Sequence, residues 1–179
     1  MNKVGRALRC LASAIFVSAI CMGTVAAQPV GAGCVLDQAA FAGRQVLRCE
    51  GGLTISVESG AQYSLFDRDR NGKVDTARLS SRALLLDAPK GSLGKAGFQV
   101  TTPQAIAAVR GTKWAVDADG SKTSVFVARG RVSVRRPESG RAVKLGAGDG
   151  VDVEAGTGPL TVKRWAPARV QALMARFGQ

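Results

Sequence analysis

The residues best suited to chemistry in this 179-residue chain are the side-chain oxygens of FDRDRNGKVD, residues 66–75. Counted from Asp67, oxygens come at positions one, three and five (Asp67, Asp69, Asn71), glycine at six (Gly72) and a further carboxylate at nine (Asp75). Hard cations take several oxygens converging from a tight turn, and this order matches the first part of a calcium loop. It departs at position twelve, where Arg78 stands in place of a bidentate carboxylate, and neither flank reads as a helix. A plain hairpin accounts for the same residues, with Asn71-Gly72 as a type I′ turn and Asp67 and Asp69 accepting hydrogen bonds from nearby backbone. Two readings stay open: a Ca2+ site completed by a carboxylate from elsewhere or by water, and a self-capped turn.

The second concentration is cationic. Lys and Arg number 25 against 13 Asp and Glu, a net charge of +12, and the densest group is Arg129, Arg131, Arg135, Arg136 and Arg141. Such a group either keeps a hairpin face solvated or binds anions, here an acidic envelope polymer, lipid headgroups or an acidic envelope protein.

Composition removes the commonest catalytic arrangements. With no histidine there is no Ser-His-Asp or Cys-His centre and no imidazole-ligated zinc or iron. Ser121 and Lys122 are adjacent, and neighbours on a strand point to opposite faces. A carboxylate pair for sugar hydrolysis is a separation in space, which spacing in sequence does not supply. Gly146, Gly148 and Gly150 lack the Gly-Lys-Ser/Thr of a phosphate loop. The expectation is a protein that is not an enzyme, with Ca2+ as the one cofactor to consider.

The N-terminus places this chemistry outside the cytoplasm. Lys3, Arg6 and Arg9 precede an apolar run over residues 11–22 and then Val25-Ala26-Ala27, the layout of a secretory signal peptide cleaved after Ala27. An uncleaved anchor is the competing reading, since residues 11–27 approach the ~17 needed to span a bilayer; a membrane enters only in that form. Loss of Lys3, Arg6 and Arg9 lowers the net charge from +12 to +9. Cys10 and Cys21 leave with the signal, and Cys34 and Cys49 remain as a pair. An oxidising compartment favours a disulfide between them, stabilising by roughly 3 kcal/mol. The expected location is periplasmic or secreted, where nucleic acid is not a partner.

These residues must be positioned by strands. From Gln45 the chain reads QVLRC, LTISVE and AQYSLFD, broken by Gly51-Gly52 and Ser59-Gly60, with Tyr63, Leu65 and Phe66 expected inside. Residues 75–87 read as two short strands meeting near Ser80-Ser81. Residues 105–109, 114–116, 125–127 and 132–134 are further strands, punctuated by Arg110-Gly111, Asp119-Gly120 and Arg129-Gly130. Residues 36–45 read as a short helix or an irregular segment. Gly111, Gly130 and Gly150 recur near every 20 residues, which fits stacked coils or successive hairpins. At the end, Pro167 suits a first helical turn, and Val170, Leu173, Met174 and Phe177 share one face with Trp165 packing back on it. That helix is expected to cover an open edge or end of the β-domain; a partner-binding or membrane-surface helix is the alternative, given Lys163, Arg164, Arg169 and Arg176. The fold class is all-β: a short-stranded roll, solenoid-like or sandwich domain with a short C-terminal helix.

The run TPQAIAAVRGTKWAV at residues 102–116, followed by a charged hairpin and GRVSV at 130–134, resembles the FecR domain, the periplasmic module of iron-dicitrate-type transmembrane signalling regulators. The resemblance extends from about Lys73 to Val153. It implies residues that build a β-domain, Arg110, Gly111 and Trp114 among them, and a regulatory role. Such regulators carry a cytoplasmic segment that contacts a sigma factor, and with five residues before Arg6 the expectation is a domain working outside the cytoplasm. The segments expected are a signal peptide (1–27), a disulfide-pinned segment with the first strands (28–60), the FecR-like β-domain (61–158) and the helix segment (159–179). The implied function is an exported, non-catalytic binding or regulatory module contacting an envelope protein or acidic envelope polymer. The alternative is a calcium-stabilised structural protein of the envelope.

Overall fold

The computed structural model describes residues 33–37, 45–91, 93, 97–138 and 140–179. The expected signal peptide and residues 38–44 lie outside them. The chain turns on one long strand, β5 (Thr76–Asp87), which belongs to two sheets. Before β5 come β1 (Cys34–Asp37), β2 (Gln45–Cys49), β3 (Thr54–Val57) and β4 (Gln62–Phe66). After it follow β6 (Phe98–Thr101), β7 (Ile106–Val109), β8 (Lys113–Asp119) and β9 (Lys122–Arg129). The series ends with β10 (Val132–Arg135), β11 (Ala142–Leu145), β12 (Asp149–Glu154), β13 (Val162–Arg164) and the helix α1 (Pro167–Ala175).

Residues 76–81 of β5 pair with β4 and β6, and residues 82–87 pair with β3 and β8. Arg82 bends the strand between its two halves with φ at 63°, a conformation unusual for a side chain with a Cβ. The two strands expected over this stretch are therefore one, because partners on both sides of the bend keep the ladder running. Sheet I has the order β1-β2-β3-β5-β8-β9-β12-β13, and sheet II the order β4-β5-β6-β7-β10-β11. All pairings are antiparallel except β5 with β6. β11 comes near β12 and β13 on the far side, so the two sheets form a nearly closed roll.

Period-two alternation sends one set of side chains between the sheets. Ile55, Leu84, Trp114 and Val125 from sheet I meet Leu79, Phe98, Val100 and Val134 from sheet II in one core. Phe98 meets Trp114 edge-on, with ring centroids 6.1 Å apart. The cysteines join as expected: Cys34 and Cys49 are ladder partners on β1 and β2, and their disulfide is buried. Residues 36 and 37 continue β1 rather than starting a helix.

Two side-chain expectations change. Phe66 points outward and is 39% exposed, since β4 alternates and Leu65 takes the inner position. The helix α1 covers the outer face of sheet I, not an edge. Ladder partners Leu85, Ala115 and Phe126 form an apolar row there, and Trp165, Leu173 and Phe177 pack on it. Among the described residues no helix is long and apolar enough to cross a membrane.

Candidate functional site

The five arginines separate along β10. Arg129, at the end of β9, donates to Asp87 Oδ1 at 2.7 Å, and Arg131 is exposed in the following turn. Arg135, Arg136 and Arg141 lie at the other end. There Arg136 and Arg141 line a groove of about 600 Å³ with Pro103, Gln104, Pro137 and Glu154. Three connections build it: β6–β7, β10–β11 and β12–β13. Arg136 ties the β10–β11 connection to β12–β13 by donating to the backbone carbonyls of Glu154 and Gly158. Gln104 is fixed by its donation to the Gly120 carbonyl at 2.9 Å, and Arg135 turns onto the carbonyls of Arg136 and Pro137. The groove also carries Glu138 and Glu154, so its charge is mixed. Its volume falls within the ~300–1,000 Å³ of ligand sites. Paired cations and carboxylates beside two prolines suit an extended peptide better than a uniform polyanion.

The aspartates converge in the loop between β4 and β5, where carboxylate oxygens of Asp67, Asp69 and Asp75 all lie within 4.8 Å of one another. Each also serves the loop. Asp67 accepts from the amides of Asn71 and Gly72, at 3.1 and 2.8 Å, and Asp69 from the Asn71 amide and side chain. Asp75 is buried, which pushes its pKa up; hydrogen bonds from Thr76 and Arg68 outweigh this and hold it below the usual aspartate value. Positive φ falls at Arg70 and Gly72 and not at Asn71, so the turn is not type I′ at Asn71-Gly72. Side-chain capping of the Asn71 and Gly72 amides shapes the loop instead. Glu50, Asp69, Asn71 and Asp75 line one cavity of about 380 Å³, so a carboxylate remote in sequence lies beside the loop.

The signature stretch builds a corner. Thr102 Oγ1 accepts from the Ala105 amide at 2.9 Å and meets Thr123 Oγ1 at 2.7 Å, all buried. Gly111 has φ at 80°, and a Cβ there would stand 3.0 Å from Lys90 Cα; at Gly130 it would stand 2.8 Å from Thr112 Oγ1. Trp114 is fully buried, while Arg110 is exposed. A family comparison matches residues 39–133, just over half of the chain, to the family described as FecR protein. The chain belongs to the FecR family. Among solved structures it is similar to a candidate anti-sigma factor from Parabacteroides distasonis, known from crystals at 2.50 and 1.65 Å. Each matches at a TM-score of 0.57 and 19% identity, over 73% of this chain. The chain spans about 60% of the length of those proteins, and at this identity the likeness is one of fold. Comparison with curated proteins finds no match.

In this FecR domain the strongest polar cluster is one that motif reading missed. Beside the apolar row on sheet I the ladder partners Asp117, Ser124 and Asp152 form a polar row, and α1 lays two arginines on it. Arg176 donates to Asp117 at 2.6 and 3.0 Å and to Glu58 at 2.5 and 2.9 Å. Hydrogen bonds to Asp117 and then Glu58 raise its pKa against the opposing effect of burial. Arg169 donates to both oxygens of Asp152, at 2.9 and 2.5 Å, and stacks 3.5 Å from the Trp165 ring centroid. Hydrogen bonds from Arg169 hold the Asp152 pKa below the usual value, against burial. The partners are 17 to 118 residues apart in sequence, so only the ladder registers bring them together.

Proposed function

We propose that this FecR domain is an exported, non-catalytic regulatory module, periplasmic or secreted, that binds an envelope protein by taking an extended segment into the groove beneath Arg136 and Arg141. Family membership supports the regulatory role, and the candidate anti-sigma factor that shares the fold is in line with it. The observation that carries the contact mode is the groove itself, built from three loops at one end of the roll with both charge signs on its walls. A photo-crosslinking residue in place of Gln104 tests it in cells. It should label a discrete envelope protein, and Arg141→Glu should cut that labelling several-fold. Equal labelling by the two forms overturns the groove as the contact.

A calcium-stabilised reading has one observation in its favour. Three carboxylates stand within 4.8 Å of one another, and among the described residues the cation paired with them is Arg68, on Asp75. A cation there would relieve the repulsion, with Asp67, Asp69, Asn71 and Asp75 as ligands and Glu50 in the place that Arg78 does not fill. Binding to the native state alone at ten times Kd raises stability by about 1.4 kcal/mol, a rise of roughly 3–6 °C in melting temperature for a domain of this size. An unchanged melting temperature between millimolar calcium and chelator rules it out.

A further inference from the structure

The outer face of sheet II contrasts with that of sheet I. No described element packs on it, and its ladder registers bring outward residues into two continuous cross-strand rows. One row runs Ser64, Arg78, Thr101, Ile106, Arg135, Ala142. The neighbouring row includes Gln99, Ser133 and Lys144 and ends at the exposed ring of Phe66, over which Arg78 stands at 5.6 Å. Neither row contains a carboxylate. The acids closest in sequence lie beyond the strand ends, and Asp67 and Asp75 there are turned onto loop amides and Arg68.

We propose that this face binds an acidic polysaccharide. Arg78 and Arg135 occupy one row with two strands between them, about 14 Å apart at the usual strand spacing. Between them in the row stand the uncharged Thr101 and Ile106, and Lys144 in the neighbouring row adds a third cation, so a linear chain can lie across the sheet and reach both guanidinium groups. Among the described residues no acid pairs with either cation: Arg135 donates to backbone carbonyls, and Arg78 contacts an aromatic ring. Ser64, Thr101, Gln99 and Ser133 offer the hydroxyl and amide groups that sugar hydroxyls pair with. A protein interface would need buried aromatic or arginine anchors in apolar pockets, and this face has one aromatic, at its margin. The surface is separate from the groove, whose walls include neither Arg78 nor Arg135.

The test measures binding of the exported chain to polygalacturonate fragments at low salt, beside neutral dextran and poly-glutamate. Arg78→Gln with Arg135→Gln should weaken polygalacturonate binding about tenfold, as the loss of two solvent-screened charge contacts implies. Arg129→Gln with Arg131→Gln removes equal charge away from the face and should leave binding within about twofold. Because Arg135 also braces a turn, Ser133→Glu serves as the second variant; it keeps every arginine and should weaken binding comparably. Dextran should not bind, poly-glutamate should bind more weakly, and raising salt should abolish the interaction. Absence of polygalacturonate binding overturns the proposal, as does an equal loss in the two arginine pairs. Poly-glutamate binding as tight as polygalacturonate, and lost with the face pair, would replace the glycan with an acidic protein.

Discussion

Replacing Arg176 by methionine separates charge from packing as the reason α1 stays on sheet I. One guanidinium makes four hydrogen bonds of 2.5–3.0 Å, two to Glu58 and two to Asp117. Exposed pairs contribute about 0–1 kcal/mol, and breaking a buried pair costs about 3–5 kcal/mol. Here the arginine side chain is 32% exposed against 12% and 21% for its partners, which places the loss near 2 kcal/mol after solvent screening. Glu58 keeps the Ala83 amide at 2.9 Å and Arg82 at 3.5 Å, so Asp117 is the acid left without compensation. Methionine retains the aliphatic stem, and the melting temperature should fall by roughly 4–8 °C. Adding Asp117→Asn to Arg176→Met should then recover part of the loss, whereas Asp117→Asn alone should destabilise, the opposite signs that mark a coupled pair. A change below about 0.5 kcal/mol in Arg176→Met, measured by denaturant unfolding, refutes the ionic clamp and leaves packing alone holding the helix.

Gly150→Ala would put a Cβ 2.2 Å from Trp165 Nε1, so the indole must leave its stack on Phe126, 5.1 Å away; a loss of about 1–3 kcal/mol and a shifted tryptophan emission are expected. Asp152 is held below its ordinary 3.8 chiefly by Arg169, so the unfolded chain takes up this proton first. The stability it contributes is full above that value and is lost as pH falls through the lower folded value. Acid titration should therefore change Trp165 fluorescence in that window, and Arg169→Gln should flatten the change. Cys34→Ser should destabilise by roughly 3 kcal/mol, read from denaturant midpoints, and reductant should then have no further effect.

Strand positions were legible wherever glycine punctuation and period-two alternation coincide, as at 105–109, 125–127 and 132–134. The long strand β5 was not, because Ser80-Ser81 looks like a break while Arg82 bends the ladder without ending it. The apolar face of α1 was legible from helical spacing. Its place on the sheet was not, since the receiving row of Leu85, Ala115 and Phe126 is drawn from three strands and exists only once their registers are known. The arginine group read as one hairpin face and proved to be two groups at opposite ends of β10, because β9 belongs to sheet I and β10 to sheet II. Asp67, Asp69 and Asp75 converge because their spacing is local. Glu50, from a different hairpin, could be placed beside them only by the fold.

The same alternation that fills the core leaves each sheet an outward face, and the two faces met opposite requirements. On sheet I the outward positions are apolar and acidic, Leu85, Ala115 and Phe126 beside Asp117 and Asp152, a surface that water alone would serve poorly. A helix with Leu173 and Phe177 on one face, flanked by Arg169 and Arg176, satisfies both components at once. On sheet II the outward positions are mostly polar or cationic, with Ile106 and the marginal Phe66 as the large apolar side chains among those named, and no described element covers them. The cationic excess visible in the composition is thus partly consumed inside the fold, by the two helix clamps. The part left facing solvent on a flat surface, at Arg78, Arg135 and Lys144, is available to an anionic ligand. Net charge alone does not distinguish these populations, and substitutions that change it equally should act differently according to which sheet they face.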